Sequence, residues 1–138
     1  MLNNLWINLP VQDVARARDF FTAVGLTPNP QYGNGPNSAS FLVGPQKTCV
    51  MLFAEPVFRG FTQHDTADAR RATEVMISLG ADSREEVDEI ARKAKAAGGD
   101  LFAPPGEKDG WMYGCAFADP DGHRWNVLYM DMSKLPKG

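Results

Sequence analysis

Cysteine and histidine are scarce: Cys49, Cys115, His64 and His123 are the only examples in 138 residues. The cysteines are far apart, neither belongs to a C-x-x-C pair, and neither has a histidine at metal-finger spacing, so both read as buried thiols in a reducing compartment. Long apolar runs are missing as well. None approaches the roughly 20 residues that span a bilayer, and the N-terminal MLNNLWINLP has no basic region followed by an apolar core. The expectation is a soluble cytoplasmic protein with no membrane partner. Nor does charge of one sign prevail: 14 Lys and Arg stand against 17 Asp and Glu, a net −3. The basic residues are scattered rather than gathered in a stripe, which excludes the electrostatic footprint of a nucleic-acid binder and leaves small molecules or proteins as partners. What the chain does have is 43% hydrophobic residues, enough for one ordinary globular core and too short a length for a second large domain.

The apolar residues form one pattern written twice. Leu5, Ile7, Leu9 and Val11 alternate with Trp6, Asn8 and Pro10, the period of a half-buried strand. Asp13 then offers a helix cap, Val14, Ala17, Phe20, Phe21 and Val24 recur at helical spacing, and Gly25 offers a stop. In the second half residues 74–79 alternate again, Asp82 and Ser83 supply a cap, Ser83 with Glu86 fits a capping box, Val87, Ile90, Ala91, Ala94 and Ala97 form the stripe, and Gly98-Gly99 ends it. Counted from Asp13 to Asp82 the offset is 82 − 13 = 69 residues, half the chain. Shorter extended runs follow each helix, at 26–32, 40–43 and 49–53, then at 100–103, 113–118 and 125–130.

The architecture predicted is α+β: a βαβββ module over about residues 1–54, a linker over about 55–72, and a second module over about 73–132. Each module alone leaves one sheet face bare, so two curved mixed sheets are expected to enclose a cleft lined by residues opposite the helix-covered faces. Ile7, Phe20, Phe21, Val75, Ile77 and Ile90 are the expected core.

Three segments carry a family likeness: INLPVQDVARARDFFTAVGL, SREEVDEIARKAKAAGG and GWMYGCAFADPDGHRWNVLYMD. In this order and spacing the chain resembles, over nearly its whole length, the vicinal oxygen chelate superfamily of glyoxalase I, extradiol dioxygenases, and fosfomycin and bleomycin resistance proteins. It is most similar to the uncharacterised glyoxalase-like bacterial branch. The resemblance implies the glyoxalase/bleomycin resistance/dioxygenase fold. In metal-using members each module gives one ligand from its first strand and one from its last, and carried across residue by residue these positions fall at Trp6, Leu52, Glu74 and Asn126. Asn126 stands where the family pattern has glutamate. A one-residue slip of the strand would exchange Leu52 for Met51 or Phe53. Divalent first-row metals want imidazole, carboxylate or thiolate donors, and one carboxylate in four positions predicts no metal ligands and no resident cofactor, with a recruited divalent metal as the disfavoured case.

The expected cleft lining is Trp6, Asn8, Leu52, Glu74, Met76, Trp111, Arg124 and Asn126. Glu74, the candidate catalytic residue, reads as a surviving ligand, a general base or a ligand-orienting acceptor, and equally as a rim carboxylate paired with a lysine or arginine. Asn126 suits recognition of a carbonyl or amide, or a structural bond to a neighbouring strand. Arg124, on the same strand face, matches a planar oxyanion, or lies at the strand edge in solvent. Trp6, Met76, Trp111, Met112 and Tyr113 read as an aromatic and thioether wall or as core, with Trp111 in a polar loop suited to a lid. DPDGHRW is a turn, His123 bonds beside it, His64 sits in the linker, and GNGPNS at 33–38 is a plain loop rather than a phosphate loop. The function expected is small-molecule binding in a homodimer, similar in logic to the bleomycin resistance proteins. Two alternatives stand beside it: a metal-dependent lyase or dioxygenase using Glu74 with His64 or a partner-chain residue, and a structural or regulatory dimer whose cleft is filled by side chains.

Overall fold

In the computed structural model, which describes residues 1–134, strand β1 (Trp6–Val11) leads into helix α1 (Val14–Val24) through a cap that the sequence announces. Asp13 Oδ1 accepts from the Arg16 amide at 3.0 Å, and Gly25, at φ 113°, ends the helix in the left-handed conformation that glycine adopts without strain. Strands β2 (Thr27–Pro28), β3 (Ser38–Val43) and β4 (Thr48–Ala54) complete a four-stranded sheet in the order β1-β4-β3-β2, with β1 parallel to β4 and the other pairs antiparallel. Helix α1 buries Val14, Ala17, Phe20, Phe21 and Val24. The Phe21 ring lies 6.0 Å from that of Phe41, and Phe41 pairs with Val50, so α1 covers the face that carries Phe41, Val50 and, by alternation, Leu52. Each buried phenylalanine contributes about 1.5–3 kcal/mol of transfer free energy there.

The second unit repeats the plan. Strand β5 (Met76–Gly80) leads to a helix over Arg84–Ala96, then come β6 (Asp100–Lys108), β7 (Met112–Ala118) and β8 (Arg124–Met130), in the order β5-β8-β7-β6. The helix buries Val87, Ala91 and Ala94 against a core of Cys115, Phe117, Trp125 and Val127. Ser83 is its N-cap, accepting from the Glu86 amide at 3.1 Å, while Glu86 reaches back to the amide of Asp82 at 2.9 Å. From Asp13 to Ser83 the offset is 83 − 13 = 70, matched by Trp6 to Met76. The repeat is therefore one residue longer than counting from Asp82 suggests.

The two units are Met1–Asp68 and Ala69–Gly138. Within the segment expected as linker lies a helix of eight residues, Glu55–Thr62, which starts directly after β4. We call it α2 and the Arg84–Ala96 helix α3. Pro56 and Gly60 made α2 illegible as a helix, yet proline is tolerated in a first turn, where its missing N–H has no partner to lose. Strand β6 runs past Ala103 through Pro104 and Pro105, which only an edge strand accepts. Of the expected core, Phe20 and Phe21 are buried, whereas Ile7, Ile77 and Ile90 are half-buried. Val75 is 61% exposed, a correction: the β5–β8 ladder begins at Met76, so Val75 has no strand neighbour to cover it. No helix among the described residues is long and apolar enough to cross a membrane.

Candidate functional site

Each sheet turns one face to its own helix and one away, and register decides which residues occupy the second. In the first unit the pairs Trp6/Cys49, Asn8/Met51 and Pro10/Phe53 share the face away from α1, joined by Ser40 opposite Met51. The chain itself covers much of this face. Asn29 Nδ2 donates to Ser40 Oγ at 3.0 Å, and Ser40 Oγ lies 3.2 Å from Cys49 Sγ, all three residues being buried. Gly33, at φ +77°, is pressed so closely on the sheet that a Cβ would lie 2.4 Å from Ser40 Cβ and 3.1 Å from Met51 Cε. Arg18 clamps the same loop by donating to the carbonyls of Gly35 and Ser38, each at 2.8 Å, and the Trp6 indole donates to the Tyr32 hydroxyl at 2.9 Å. GNGPNS is thus a cover over the sheet rather than a free loop. At the other end, α2 sets Phe61 edge-on to Phe53, with centroids 5.1 Å apart, and leaves an open groove of about 450 Å³ bordered by Asn8, Phe53, Phe58, Phe61 and Thr62.

The corresponding face of the second unit carries Met76/Arg124, Ser78/Asn126 and Gly80/Leu128, with Ala118, Ala116 and Gly114 beside them on β7. The Arg124 guanidinium sits 4.6 Å from the centroid of the Phe102 ring, a cation–π contact. Arg124 Nε and Asn126 Oδ1 are both buried without a hydrogen-bond partner. Met76 and Phe102, at 47% and 42% exposure, leave apolar surface open around them.

The turn before β8 sets this presentation. Asp119 Oδ1 accepts from the amides of Asp121 (2.9 Å) and His123 (3.0 Å), and its Oδ2 accepts from the Trp125 indole (3.0 Å). Gly122, at φ +90°, lies against Arg70, whose amide nitrogen would be 2.6 Å from an added Cβ. With Trp125 held inward and fully buried, alternation turns Arg124 and Asn126 to the other face. Burial raises the Asp119 carboxyl from its ordinary value, with the Asp121 charge adding to it, opposed by nearby His123 and by the N–H donors of Trp125 and His123.

Several sequence-based assignments move. Leu52 is fully buried on the α1 side, and Met51, its neighbour, shares the face of Asn8; the one-residue alternation of the strand decides this. Glu74 is exposed and precedes β5, so Asn126 stands opposite Ser78, four residues and roughly 13 Å further along at the usual strand rise. Trp6 and Asn8 do lie on the face away from α1, where α2 borders Asn8, and Met76, Arg124 and Asn126 lie on the helix-free face of the second sheet. Trp111 is half-buried in the β6–β7 turn, its carbonyl accepting from the Asp131 amide at 2.8 Å. Tyr113 faces α3, where its hydroxyl donates to Asp88 at 2.5 Å, while Met112 shares the helix-free face with Met130. His64 is exposed in the first unit and His123 half-buried in the second. Ser78 and Phe102 went unselected from the sequence, and Met51 entered only as the slipped alternative to Leu52; the offset of 70 residues, read from the right caps, identifies Ser78 as the counterpart of Asn8, and strand register, which pairs Asn8 with Met51 and Ser78 with Asn126, makes Met51 the counterpart of Asn126.

This set does not fit a divalent metal. The face away from α1 in the first unit offers Trp6, Asn8, Cys49 and Met51, with Cys49 engaged by Ser40, and the helix-free face of the second unit offers Met76, Ser78, Arg124 and Asn126. Among the described residues no group of three or more His, Cys, Asp or Glu side chains is placed to hold a metal ion.

A βαβββ plan written twice defines a class. The family model for the Glyoxalase/Bleomycin resistance protein/Dioxygenase superfamily matches residues 5–127, and the chain belongs to that superfamily. Among solved structures it is similar to the hypothetical protein SA1046 from S. aureus, with 35% identity, 94% of each chain covered and a TM-score of 0.80. It also shares its fold with a glyoxalase-related enzyme from Fulvimarina pelagi (18% identity, 94% of this chain and 88% of that one, TM-score 0.79). A family enzyme from Burkholderia phytofirmans PsJN is a further likeness (19%, 91% and 96%, TM-score 0.74). No curated protein matches the chain.

Proposed function

We propose that the chain binds a small organic molecule on the helix-free face of its second sheet, without a tightly held catalytic metal, and works as a homodimer. One observation carries the reading: two buried, unpartnered polar atoms, Arg124 Nε and Asn126 Oδ1, on a face whose apolar side chains are open. Buried polar groups are almost always paired, and the face lacks the donors that a metal-dependent lyase or dioxygenase of this superfamily would need. The filled-cleft alternative has its support in the first unit, where Ser40, Cys49 and Met51 lie buried beneath the chain's own loop; the same does not hold for Met76 and Phe102. The homodimer rests on β1 and β5, each hydrogen-bonded along one side only as the edge of its sheet.

The test is metal analysis of untagged protein, together with mass spectrometry of small molecules released on denaturation and light scattering at tens of micromolar. The expected outcome is a substoichiometric metal content, a co-purifying organic compound and a dimer mass. Stoichiometric zinc, nickel or iron would overturn the metal-free reading, and a clean monomer would overturn the dimer.

A further inference from the structure

Two orphaned atoms of opposite character lie two residues apart on β8. Arg124 Nε–H is a buried donor on a cation, and Asn126 Oδ1 is a buried acceptor. Among the described residues no carboxylate pairs with Arg124, whose guanidinium instead rests on the Phe102 ring. The exposed hydroxyl residue Ser78 is the register neighbour of Asn126, and Met76 that of Arg124. A bare anion would satisfy the arginine and leave the Asn126 oxygen without a donor. A neutral amide or alcohol would do the reverse. A single ligand that completes both bears a planar oxyanion with a hydrogen-bond donor next to it, because guanidinium pairs with carboxylate through parallel N–H bonds and an amide oxygen accepts.

From this complementarity we propose that the face takes a 2-hydroxy carboxylate with an apolar substituent. Its carboxylate sits on Arg124, its hydroxyl donates to Asn126 Oδ1, and its substituent lies against Met76 and Phe102. The inference rests on the small-molecule reading above and narrows it to one ligand class. It also assigns Asn126 a role that needs its neutrality: a carboxylate at this position would repel the ligand.

The experiment uses the full chain, with 3-phenyllactate as probe and two relatives: 3-phenylpropionate, which lacks the hydroxyl, and 3-phenyllactamide, which lacks the charge. Titrations followed by the amide resonances of Ser78, Ala116 and Asn126 should show 3-phenyllactate binding about tenfold more tightly than either relative, the worth of one charge-assisted or well-placed hydrogen bond. In Arg124→Met the advantage over the amide should vanish while that over 3-phenylpropionate remains. In Asn126→Ala the opposite should hold. Comparing probes within each variant keeps the result readable even when a substitution weakens the fold. If 3-phenyllactamide binds the wild type at this face as tightly as the acid, the ligand class is wrong while small-molecule binding stands. If neither advantage responds to its own substitution, or no probe shifts these resonances at about 10 mM, the assignment of Arg124 and Asn126 is overturned; the small-molecule reading beneath it is tested separately, by the organic compound released on denaturation.

Discussion

Asp119 should be the most sensitive polar residue of the second unit, and truncating it tests how the β7–β8 turn is built. Its carboxylate takes three N–H donors, two backbone amides on Oδ1 and the Trp125 indole on Oδ2, and it is itself 4% exposed. Asp119→Ala strands all three. At about 1–3 kcal/mol for each donor left unpaired in a buried place, and less for the amide of half-buried His123 where water reaches, the loss should total about 3–5 kcal/mol. Asp119→Asn keeps an oxygen facing the two amides but turns an NH2 toward the indole, so about 1–3 kcal/mol should be lost. Acidity adds a second signature. Because burial raises the folded carboxyl above its unfolded value, its contribution is fully present below the unfolded value, about 3.9, and is lost as pH rises through the folded one. The stability of wild type relative to Asp119→Asn should therefore increase as pH falls across that window. Urea unfolding read from tryptophan fluorescence, since Trp111 and Trp125 both lie in this unit, measures both effects. A cost below about 1 kcal/mol for Asp119→Ala, or the same pH dependence in wild type and Asp119→Asn, would refute the account of the turn.

Phe21→Ala should cost about 3–5 kcal/mol, since Phe21 is 1% exposed and meets Phe20 edge-on at 5.0 Å as well as Phe41; denaturant midpoints of the first unit check it, and a loss below about 1 kcal/mol would mean that α1 packs elsewhere. Burial pushes the Cys115 thiol up to about 11, so it should resist iodoacetamide at neutral pH and react once urea unfolds the chain. Any stability drawn from that thiol is present below its unfolded value and fades as pH approaches about 11; fast labelling of folded protein would contradict its burial. Since Asn126 pairs with Ser78 and not with Glu74, Asn126→Glu alone should gain no zinc affinity, whereas Ser78→His with Asn126→Glu should gain measurable affinity by calorimetry that falls as pH drops through the imidazole titration. A gain in the single variant would restore the adjacency of Glu74 that the strand register removes.

Much of this chain was legible before folding because its information is local. The alternation of Leu5 to Val11, the Asp13 cap, the Phe20-Phe21 stripe and the Gly25 stop act within a few residues of one another, and their repetition past Ser83 is visible in one dimension. The family likeness extended this to the paired plan. Register was not legible. Whether Leu52 or Met51 faces away from α1 depends on how β4 pairs with β1 and β3, and a shift of one residue exchanges the two faces entirely. The same holds for Glu74, which alternation within its own segment placed on a strand that begins only where Arg124 of β8 arrives to pair with Met76. Helix α2 escaped because its proline and glycine weaken the local signal, and its contact with the sheet, Phe61 edge-on to Phe53, exists only in three dimensions. The partnerless state of Arg124 Nε and Asn126 Oδ1 is likewise a tertiary fact: residue type says what a group can bond, and only the surrounding strands decide which groups are left without a bond to make.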